Sequence, residues 1–213
     1  MIDFKKLKEE QTKLAKKAIL KDEFEKLELI GGVDQAYHQE NVISAIVVCD
    51  FKTNEIKERV YAISQAMIPY VPGFLSYREG PAIGAAYSKL ENKPDILIFD
   101  GNGILHPMRC GIATHMGVLL NQPSFGVAKE LLIGELKKGK VLVEKETRAE
   151  EVITREKSKP VYISAGHKVS LKTSVSIVKK LLVFPHKLPE PLHLAHKYAN
   201  EIRTKLISGE IKS

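Results

Sequence analysis

Three apolar runs joined by short polar links lie between residues 27 and 63, and they restrict the folds open to this chain. The first run, at residues 27–30, continues into Gly31-Gly32-Val33-Asp34, and the other two occupy residues 42–49 and 56–63. The run at 42–49 is β-branched and almost wholly apolar, which is typical of a strand buried on both faces. Because the links are short, the three runs predict an antiparallel meander.

Beyond residue 68 the pattern changes to alternating helices and strands. Two prolines stiffen Pro69-Tyr70-Val71-Pro72-Gly73 and forbid helix there, and a helix follows that ends near Leu90. A buried strand at residues 95–99, a helix at 111–120 and a strand at 124–127 come next. This alternation is typical of a parallel sheet.

The remaining segments complete a single α/β domain. The three-four spacing of apolar residues predicts an amphipathic helix over residues 3–20. Further strands are predicted at 141–143, 152–154 and 161–163, and further helices at 171–182 and 191–207. We therefore predict one domain over residues 1–213, in which the meander precedes the helix–strand units.

Three carboxylates stand at the ends of predicted core elements. Asp34 and Asp100 each follow an apolar strand, and Glu79 lies in the loop and helix segment between them. Ligands of open α/β sheets bind beyond the carboxyl ends of strands, so Asp34 and Asp100 face each other if their strands are neighbours. Close carboxylates repel unless a cation separates them, which predicts a Mg²⁺ or Mn²⁺ site suited to phosphodiester hydrolysis. The alternative is that each acid only caps a helix or closes a turn.

The segment Asp100-Gly101-Asn102-Gly103 can also be compared with a glycine-rich phosphate loop. That loop needs a third glycine where His106 stands, and the acid before it would repel phosphate. We therefore reject a nucleotide-binding loop at this point.

Positive charge is concentrated in the last part of the chain. The 213 residues carry a formal net charge of +7. Residues 129–213 hold 18 basic and 10 acidic side chains, whereas residues 1–128 hold 15 and 16. A basic segment beside a near-neutral one favours an anionic partner, with nucleic acid the commonest, although a solvated lysine-rich surface gives the same counts.

Cysteine content and hydropathy bear on the compartment. Cys49 and Cys110 are too few for a disulfide framework, which favours a reducing environment. The charged N-terminus has no apolar signal-peptide core, and no apolar run reaches the roughly 18–20 residues that a membrane span needs. We expect a soluble, cytoplasmic protein without a membrane partner.

A series of short motifs, in its order along the chain, resembles the endonuclease V family. The motifs are Gly32-Val33-Asp34, Pro69-Tyr70-Val71-Pro72-Gly73, Tyr77-Arg78-Glu79-Gly80-Pro81, Asp100-Gly101-Asn102-Gly103 with His106-Pro107, Gly126-Val127-Ala128-Lys129, Ser164-Ala165-Gly166-His167 and Leu194-Ala195-His196. The resemblance spans residues 30–200, approximately. Gln35-Ala36-Tyr37, Asn102 and Ala165 depart from the residues that are usual in the family, and none of these departures removes a candidate ligand.

The resemblance implies a fold and an activity. The fold is ribonuclease-H-like, with a central mixed five-stranded sheet flanked by helices. The activity is that of a Mg²⁺-dependent endonuclease, with Mn²⁺ as a substitute, that recognises deoxyinosine, the product of adenine deamination in DNA. Such enzymes initiate repair by hydrolysing the second phosphodiester bond 3′ to the lesion, which leaves a 3′-hydroxyl and a 5′-phosphate. Some members act on inosine in RNA.

The resemblance also implies a catalytic set. Asp34 and Asp100 are the direct metal ligands, and Glu79 acts through a water on the metal, either orienting the nucleophile or recruiting a second ion. Lys129 contacts the scissile phosphate or the leaving oxygen, whereas without the motif it would be read as a surface lysine. His196 has a water-mediated role toward metal or phosphate.

Zinc is the competing interpretation of the histidines near the C-terminus. His193 and His196 lie three residues apart and share a helix face, as zinc ligands can. No third Cys or His follows at a suitable spacing, so we treat His193 as a surface residue.

A base-binding site follows from the same motifs. Tyr70, held between two prolines, is the candidate wedge that stacks where a flipped base leaves its neighbours, although it could also pack on the sheet. The flipped base would enter a pocket between residues 73–75, residues 101–103 and Ile112, and glycine allows the backbone to approach it. The predicted substrate-binding residues are Tyr70, Gly73, Leu75, Gly101, Gly103 and Ile112. The roles of His106 and His167 stay open.

Other functions remain open beside this one. The same fold serves structure-selective flap or junction nucleases and inosine-specific ribonucleases. The basic C-terminal part alone would also fit a nucleic-acid-binding module without catalysis. We expect a monomer whose partner is DNA containing deoxyinosine, with inosine-containing RNA as the alternative.

Overall fold

A computed structural model describes residues 2–156 and 158–212, in which a mixed sheet lies between two layers of helices. The elements in chain order are α1 (Phe4–Ala15), β1 (Leu29–His38), β2 (Asn41–Asp50), β3 (Ile56–Gln65), α2 (Leu75–Ser88), β4 (Ile96–Asp100), α3 (Ile112–Leu120), β5 (Ser124–Ala128), β6 (Glu135–Lys137), β7 (Lys140–Val143), β8 (Glu146–Val152), β9 (Val161–His167), α4 (Leu171–Lys180) and α5 (Glu190–Ser208).

The strand order confirms the predicted meander and parallel units. In the described part of the chain the sheet has nine strands in the order β3-β2-β1-β4-β5-β9-β8-β7-β6. The first three strands pair antiparallel, while β4 lies parallel to both β1 and β5. These five strands are the predicted mixed sheet. The sheet is wider than five strands because β6 to β9 extend it by antiparallel pairing beyond β5.

Apolar side chains on the two faces of the sheet hold the two helical layers. On one face, Val33 and Phe99 pack in a buried cluster with residues of α2 and α3. On the other face, Ile98 and Phe125 pack in a buried cluster with residues of α4 and α5. Helix α5 lies very close to β1, since a Cβ on Gly32 would lie 2.1 Å from the carbonyl oxygen of Pro191. A glycine is therefore required there, and it brings α5 down onto the centre of the sheet.

Four predicted boundaries are wrong. Helix α1 ends at Ala15 rather than residue 20, and β8 occupies Glu146–Val152 rather than 152–154. Strand β9 runs to His167 rather than to residue 163. Asp34 does not end its strand, because β1 continues to His38. The cause is pairing with β2, which keeps β1 extended from Leu29 opposite Asp50 to His38 opposite Asn41.

Two observations concern the cysteines and the helices. Cys49 and Cys110 are both buried and free. Among the described residues, no helix is both long enough and apolar enough to cross a membrane.

Candidate active site

Parallel pairing of β1 with β4 brings together two carboxylates, one buried and one partly buried. Val33 lies opposite Phe99 in this pairing, so the next residues, Asp34 and Asp100, follow in adjacent strands. Asp34 is buried, and Asp100 ends β4. One ligand atom each from Asp34, Asp100 and His196 lies within 4.8 Å of the other two. The structure therefore brings together both predicted metal ligands and the predicted histidine.

His196 reaches this cluster from helix α5. Side chains alternate between the two faces of β1, and Asp34 points to the same face as Ala36, which packs against α5 through Ala199. The Nδ1 atom of His196 lies 2.6 Å from Oδ2 of Asp34. This hydrogen bond raises the pKa of His196.

Glu79 approaches from the opposite face of the sheet. It lies in the second turn of α2, and the hydroxyl of Tyr37 on β1 donates a hydrogen bond to its Oε1 atom. Burial raises the pKa of Glu79 to about 7, against the lowering effect of the Tyr37 hydrogen bond. A carboxyl group with this pKa can accept or release a proton near neutral pH.

Lys129 follows the last residue of β5 and contacts Asp100. Its Nζ atom donates to Oδ2 of Asp100. Burial and the nearby Asp34 carboxylate raise the pKa of Asp100 to about 6, and Lys129 opposes this rise. Burial alone would lower the pKa of Lys129, but Asp100 raises it above its ordinary value. The ammonium group therefore stays charged at neutral pH.

The donor set of this cleft fits a divalent cation. Two carboxylates supply the hard oxygen ligands that Mg²⁺ and Mn²⁺ prefer. Burial is the main cause of the raised pKa of Asp100, and repulsion from the Asp34 carboxylate adds to it, so a cation between the two carboxylates would relieve that repulsion. The cleft has a volume of about 240 Å³ and is lined by Asp34, Gln35, Tyr37, Leu75, Glu79, Asp100, Lys129 and His196.

A second, less charged cavity adjoins the cleft. It has a volume of about 220 Å³ and is lined by Tyr70, Pro72, Gly73, Leu75, Ser76, Gly101, Asn102, His106, Cys110, Gly111, Ile112, Glu130, Leu131 and Leu132. Leu75 lines both spaces, so the two are direct neighbours. Five of the six predicted substrate-binding residues meet on this wall, and Tyr70 is 65% exposed rather than packed on the sheet.

Gly103 is the exception and does not lie on the cavity wall. Its N–H donates a hydrogen bond of 2.8 Å to the hydroxyl of Ser164 on β9. A Cβ at this position would lie 2.0 Å from the carbonyl oxygen of Ala165. Gly103 therefore allows a close approach of the loop to β9, and its N–H is already used.

The carbonyl of Gly73 is held by two side chains from outside the loop. It accepts hydrogen bonds from Nε2 of Gln11, at 2.7 Å, and from Nε2 of His106, at 3.0 Å. Because Nδ1 of His106 accepts the N–H of Met108, the ring proton is on Nε2. Burial lowers the pKa of His106, which keeps the ring neutral. The wall of the cavity is thus fixed by α1 and by the loop after β4.

Comparison with known proteins assigns the chain to a family. The sequence model of the family Endonuclease V matches residues 12–197. This chain belongs to the endonuclease V family. Endonuclease V of Dictyoglomus turgidum is 45% identical over 208 residues, which cover 94% of this chain and 91% of that relative.

Solved structures of endonuclease V have the same fold. The crystal structure from Bacillus subtilis has a TM-score of 0.90 and 30% identity and covers 98% of this chain and 95% of that one. Ciona intestinalis endonuclease V, in complex with a 24mer DNA containing an inosine followed by a ribo-adenosine, has a TM-score of 0.83 and 28% identity, with 95% and 98% covered. As a member of the endonuclease V family, this chain is an endonuclease with a ribonuclease-H-like fold.

Two residues of this endonuclease V site were not predicted, although the sequence marks both. Tyr37 follows Asp34 by three residues on β1, so it points to the other face of the sheet, where Glu79 lies. Gln11 follows Leu7 by four residues and precedes Leu14 by three, so a polar side chain occupies the apolar stripe of α1. A polar residue on a buried face needs a partner, and Gly73 provides it.

His167 takes no part in either space. Its Nδ1 atom accepts the backbone N–H of Ile19 at 3.3 Å, which ties the segment after α1 to β9. Its role is therefore structural.

Proposed function

We propose that this endonuclease recognises deoxyinosine in DNA and hydrolyses the second phosphodiester bond 3′ to it, leaving a 3′-hydroxyl and a 5′-phosphate. The observation that carries the proposal is the contact between the acidic cleft and the adjoining cavity, which share Leu75. One space suits a cation and a phosphate, and the other is mainly apolar and of limited volume, as a base site requires. The inosine-containing DNA bound by the Ciona relative supports this assignment.

Asp34 and Asp100 are the residues that would hold Mg²⁺, or Mn²⁺ in its place. When bound, such a cation lowers the pKa of a water ligand and neutralises charge on the phosphate. The close oxygen atoms of the two carboxylates support this role, and so does the repulsion from Asp34 that contributes to the raised pKa of Asp100.

Three further side chains of the cleft would act on the attacking water, the leaving oxygen and the phosphate. Glu79, with its pKa of about 7 and its hydrogen bond from Tyr37, would orient the attacking water and accept its proton. Lys129 places an ammonium group at the edge of the cleft, where it would stabilise charge on the leaving oxygen. His196, fixed by Asp34, would contact the phosphate through water.

Base recognition would use the Tyr70 loop and the cavity. An exposed aromatic ring on a loop with two prolines can stack in the gap left by a flipped base, which offsets part of the few kcal/mol of unstacking. The flipped hypoxanthine would lie against the backbone of Gly73 and Gly101. Both glycines have positive φ, +84° and +144° respectively, a conformation that other residues rarely adopt.

A cleavage assay tests the proposal. A duplex with one central inosine, labelled at either end, is incubated with Mg²⁺ beside the same duplex without inosine. We expect one nick, two bonds 3′ to the inosine, and its loss in Asp34→Ala. Equal cutting of the inosine-free duplex would contradict the specificity.

Two further substrates separate the alternative nucleases. Inosine-containing RNA tests an inosine ribonuclease, and branched or flapped DNA without inosine tests a structure-selective nuclease. Under the proposal both are cut more slowly than the inosine duplex. Preference for RNA or for the branch would replace the proposed substrate.

We further propose a single-domain, cytoplasmic monomer. One continuous sheet supports the single domain, and two free buried cysteines support a reducing compartment. The five predicted catalytic residues all line one cleft, so this set needs no residue from a second copy, which supports a monomer. Sedimentation at micromolar concentration, with one species of about 24 kDa expected from the 23.8 kDa chain, tests the last point.

A further inference from the structure

An exposed groove lies outside the cleft and the cavity. It is lined by residues 154–156 after β8, by residues 182–184 after α4, and by His186. Its volume is about 600 Å³, against about 220 Å³ for the cavity that lies beside the cleft. We call it the Phe184 groove.

The sheet places this groove at the same edge as the catalytic carboxylates. Strand β4 ends at Asp100, and its parallel neighbour β5 ends at Ala128. Ala128 pairs with Tyr162 on β9, and Val152, the last residue of β8, pairs with Val161. The loop that follows Val152 therefore leaves the sheet on the side where Asp100 lies.

A row of histidines connects the groove to the cleft. The ring of His186 stacks on that of His193 with 3.6 Å between centroids. His193 precedes His196 by three residues on α5, so the two share a helix face. His186 therefore stacks on a ring that is one helical turn from His196, whose Nδ1 atom lies 2.6 Å from Oδ2 of Asp34.

The groove exposes an aromatic ring that no core requirement explains. Phe184 is 88% exposed, the highest value among the large apolar side chains of residues 2–156 and 158–212. Ile153 beside the groove is 69% exposed. Leu182 and Val183 also line the groove, so the exposed apolar residues form a patch, and such patches mark interaction sites.

Charge around the groove selects the class of partner. Among the described residues of 153–160 and 181–188, the basic side chains are Arg155, Lys159 and Lys187, and the one acid is Glu156. The nearby Glu190 is bonded to His186. Aromatic rings among basic side chains are the combination with which proteins bind unpaired bases and the phosphates between them.

The groove also has one contact between its two loops and one unpartnered polar atom. The guanidinium of Arg155 donates to the carbonyl of Pro185 at 3.4 Å, which links the two loops. The Oγ1 atom of Thr154 is buried and has no hydrogen-bond partner in the described part of the chain.

We propose that the Phe184 groove binds the nucleic-acid strand that flanks the cleft. Phe184 stacks on an unpaired base, and Arg155, together with Lys159 and Lys187, binds phosphates. This rests on the proposed function only in requiring a nucleic-acid strand in the cleft. The groove is large and open, so it accepts any base and adds affinity without selecting inosine.

The test measures binding of the full chain to single strands without divalent cations, which prevents cleavage. The probes are a 24-nucleotide strand with one central inosine and its adenine counterpart. Each is also made with 2-aminopurine at successive positions around the centre. The variant is Phe184→Ala, and the matched control is Leu119→Ala, since Leu119 is 58% exposed near the end of α3, at the opposite edge of the sheet.

We expect Phe184→Ala to raise Kd for both strands by about 5- to 50-fold, as loss of a stacked base does. At least one 2-aminopurine position responds on binding to the parent and to Leu119→Ala and loses that response in Phe184→Ala. Because both strands are affected alike, this result is independent of whether the enzyme selects inosine.

Two outcomes overturn the proposal. One is a Kd within twofold of the parent with an unchanged 2-aminopurine profile. The other is a change in sedimentation of Phe184→Ala without a change in Kd, which would make the groove a contact between copies of the chain.

A second variant tests the charge of the groove. Arg155→Ala is expected to reduce the slope of log Kd against log salt concentration by about 0.7, the contribution of one phosphate contact on a single strand. Lys52→Ala, an exposed charge in the turn after β2, is expected to leave the slope unchanged. Equal slopes for Arg155→Ala and the parent contradict the phosphate contact.

Discussion

The cleft and the cavity share Leu75, but the cleft is lined by charged side chains and the cavity mainly by backbone and apolar atoms. The cleft is lined by acids and bases that bond one another, as Asp100 bonds Lys129 and Asp34 bonds His196. The cavity is lined mainly by backbone and apolar atoms, and Gln11 and His106 fix its wall through the carbonyl of Gly73. The cleft is therefore arranged to bind opposite charge, whereas the cavity is arranged to keep its shape.

Protonation shows the same contrast. In the cleft, burial raises the pKa of Glu79 to about 7 and that of Asp100 to about 6. On the cavity side, burial lowers the pKa of His106, and it lowers that of His115 to about 4. Folding thus favours proton uptake by the cleft and proton release by the cavity side. The contributions of the two regions to stability therefore have opposite pH dependence, so variants in each region can be told apart.

The largest effect is expected from the cleft. Asp100→Asn removes a carboxylate that would hold the cation and also the partner of Lys129. We expect the single-turnover cleavage rate with Mg²⁺ to fall by about 10³-fold, as when a main electrostatic contact of an active site is lost. Glu9→Gln, on the exposed side of α1, is the control and should cut at the parent rate. A rate above one tenth of the parent's would contradict the assignment of Asp100.

The next effect concerns stability on the cavity side. His115 is buried and its Nδ1 atom has no partner in the described residues, so protonation is unfavourable in the folded state. Its folded pKa of about 4 is below the unfolded value of about 6.5, so stability is lost as pH falls between these values. The loss reaches about 3 kcal/mol at pH 4.

Urea unfolding at pH 7 and pH 4 in EDTA, with the parent and His115→Phe, measures this loss. We expect the variant to lose about 3 kcal/mol less than the parent over this interval. Glu79 and Asp100 in the cleft, whose pKa values are raised, change the stability in the opposite direction as pH falls. They stabilise the fold below their unfolded pKa values, and this stabilisation disappears as pH rises through 6 to 7. If the parent and His115→Phe lose the same unfolding free energy between pH 7 and pH 4, to within 1 kcal/mol, the prediction for His115 is contradicted.

A smaller effect is expected from the wedge. Tyr70→Ala removes the exposed ring without disturbing a core contact, so folding should be unaffected. We expect the ratio of cleavage rates on inosine and inosine-free duplexes to fall about 10-fold, because the stacking that offsets base flipping is lost. Tyr70→Phe keeps the ring and should keep the ratio within twofold. If both variants lose the same amount, the hydroxyl rather than the ring is required.

The smallest effect is expected at Gln11, which helps to fix the wall of the cavity. Gln11→Leu removes one of two donors to the Gly73 carbonyl, and His106 still satisfies that oxygen. We expect about 1 kcal/mol lower stability and a modest rise of KM on inosine DNA with kcat unchanged. A fall in kcat at constant KM would place Gln11 with the chemistry rather than with the cavity.

Particular residues show how far the sequence predicts this molecule. The proximity of Asp34 and Asp100 could be predicted, because each acid comes directly after an apolar run and the two runs form neighbouring strands. The continuation of β1 to His38 does not, because the pairing with β2 rather than the apolar pattern keeps that segment extended. Strand β6 was missed for a related reason. All three of its residues, Glu135–Lys137, are exposed, so alternation of buried and exposed residues is absent.

The cavity was predictable as a set of motifs but not as a shape. Gly73 and Gly101 line it, whereas Gly103, two residues from Gly101, is turned against β9. That difference depends on the hydroxyl of Ser164, which lies 61 residues away in the chain. Long-range contacts of this kind have no local pattern in a single sequence.

A binding measurement tests most directly whether cleavage depends on the cleft and base selection depends on the cavity. The Asp100→Asn variant and the parent are titrated with inosine-containing and inosine-free strands in EDTA, and the ratio of the two Kd values is compared. If the cavity selects the base and the cleft only cuts, the variant keeps the parent's ratio within about threefold, a change of less than 1 kcal/mol, although it no longer cleaves. A ratio that falls to one in Asp100→Asn would show that selection depends on the cleft and would contradict the division proposed for the two spaces.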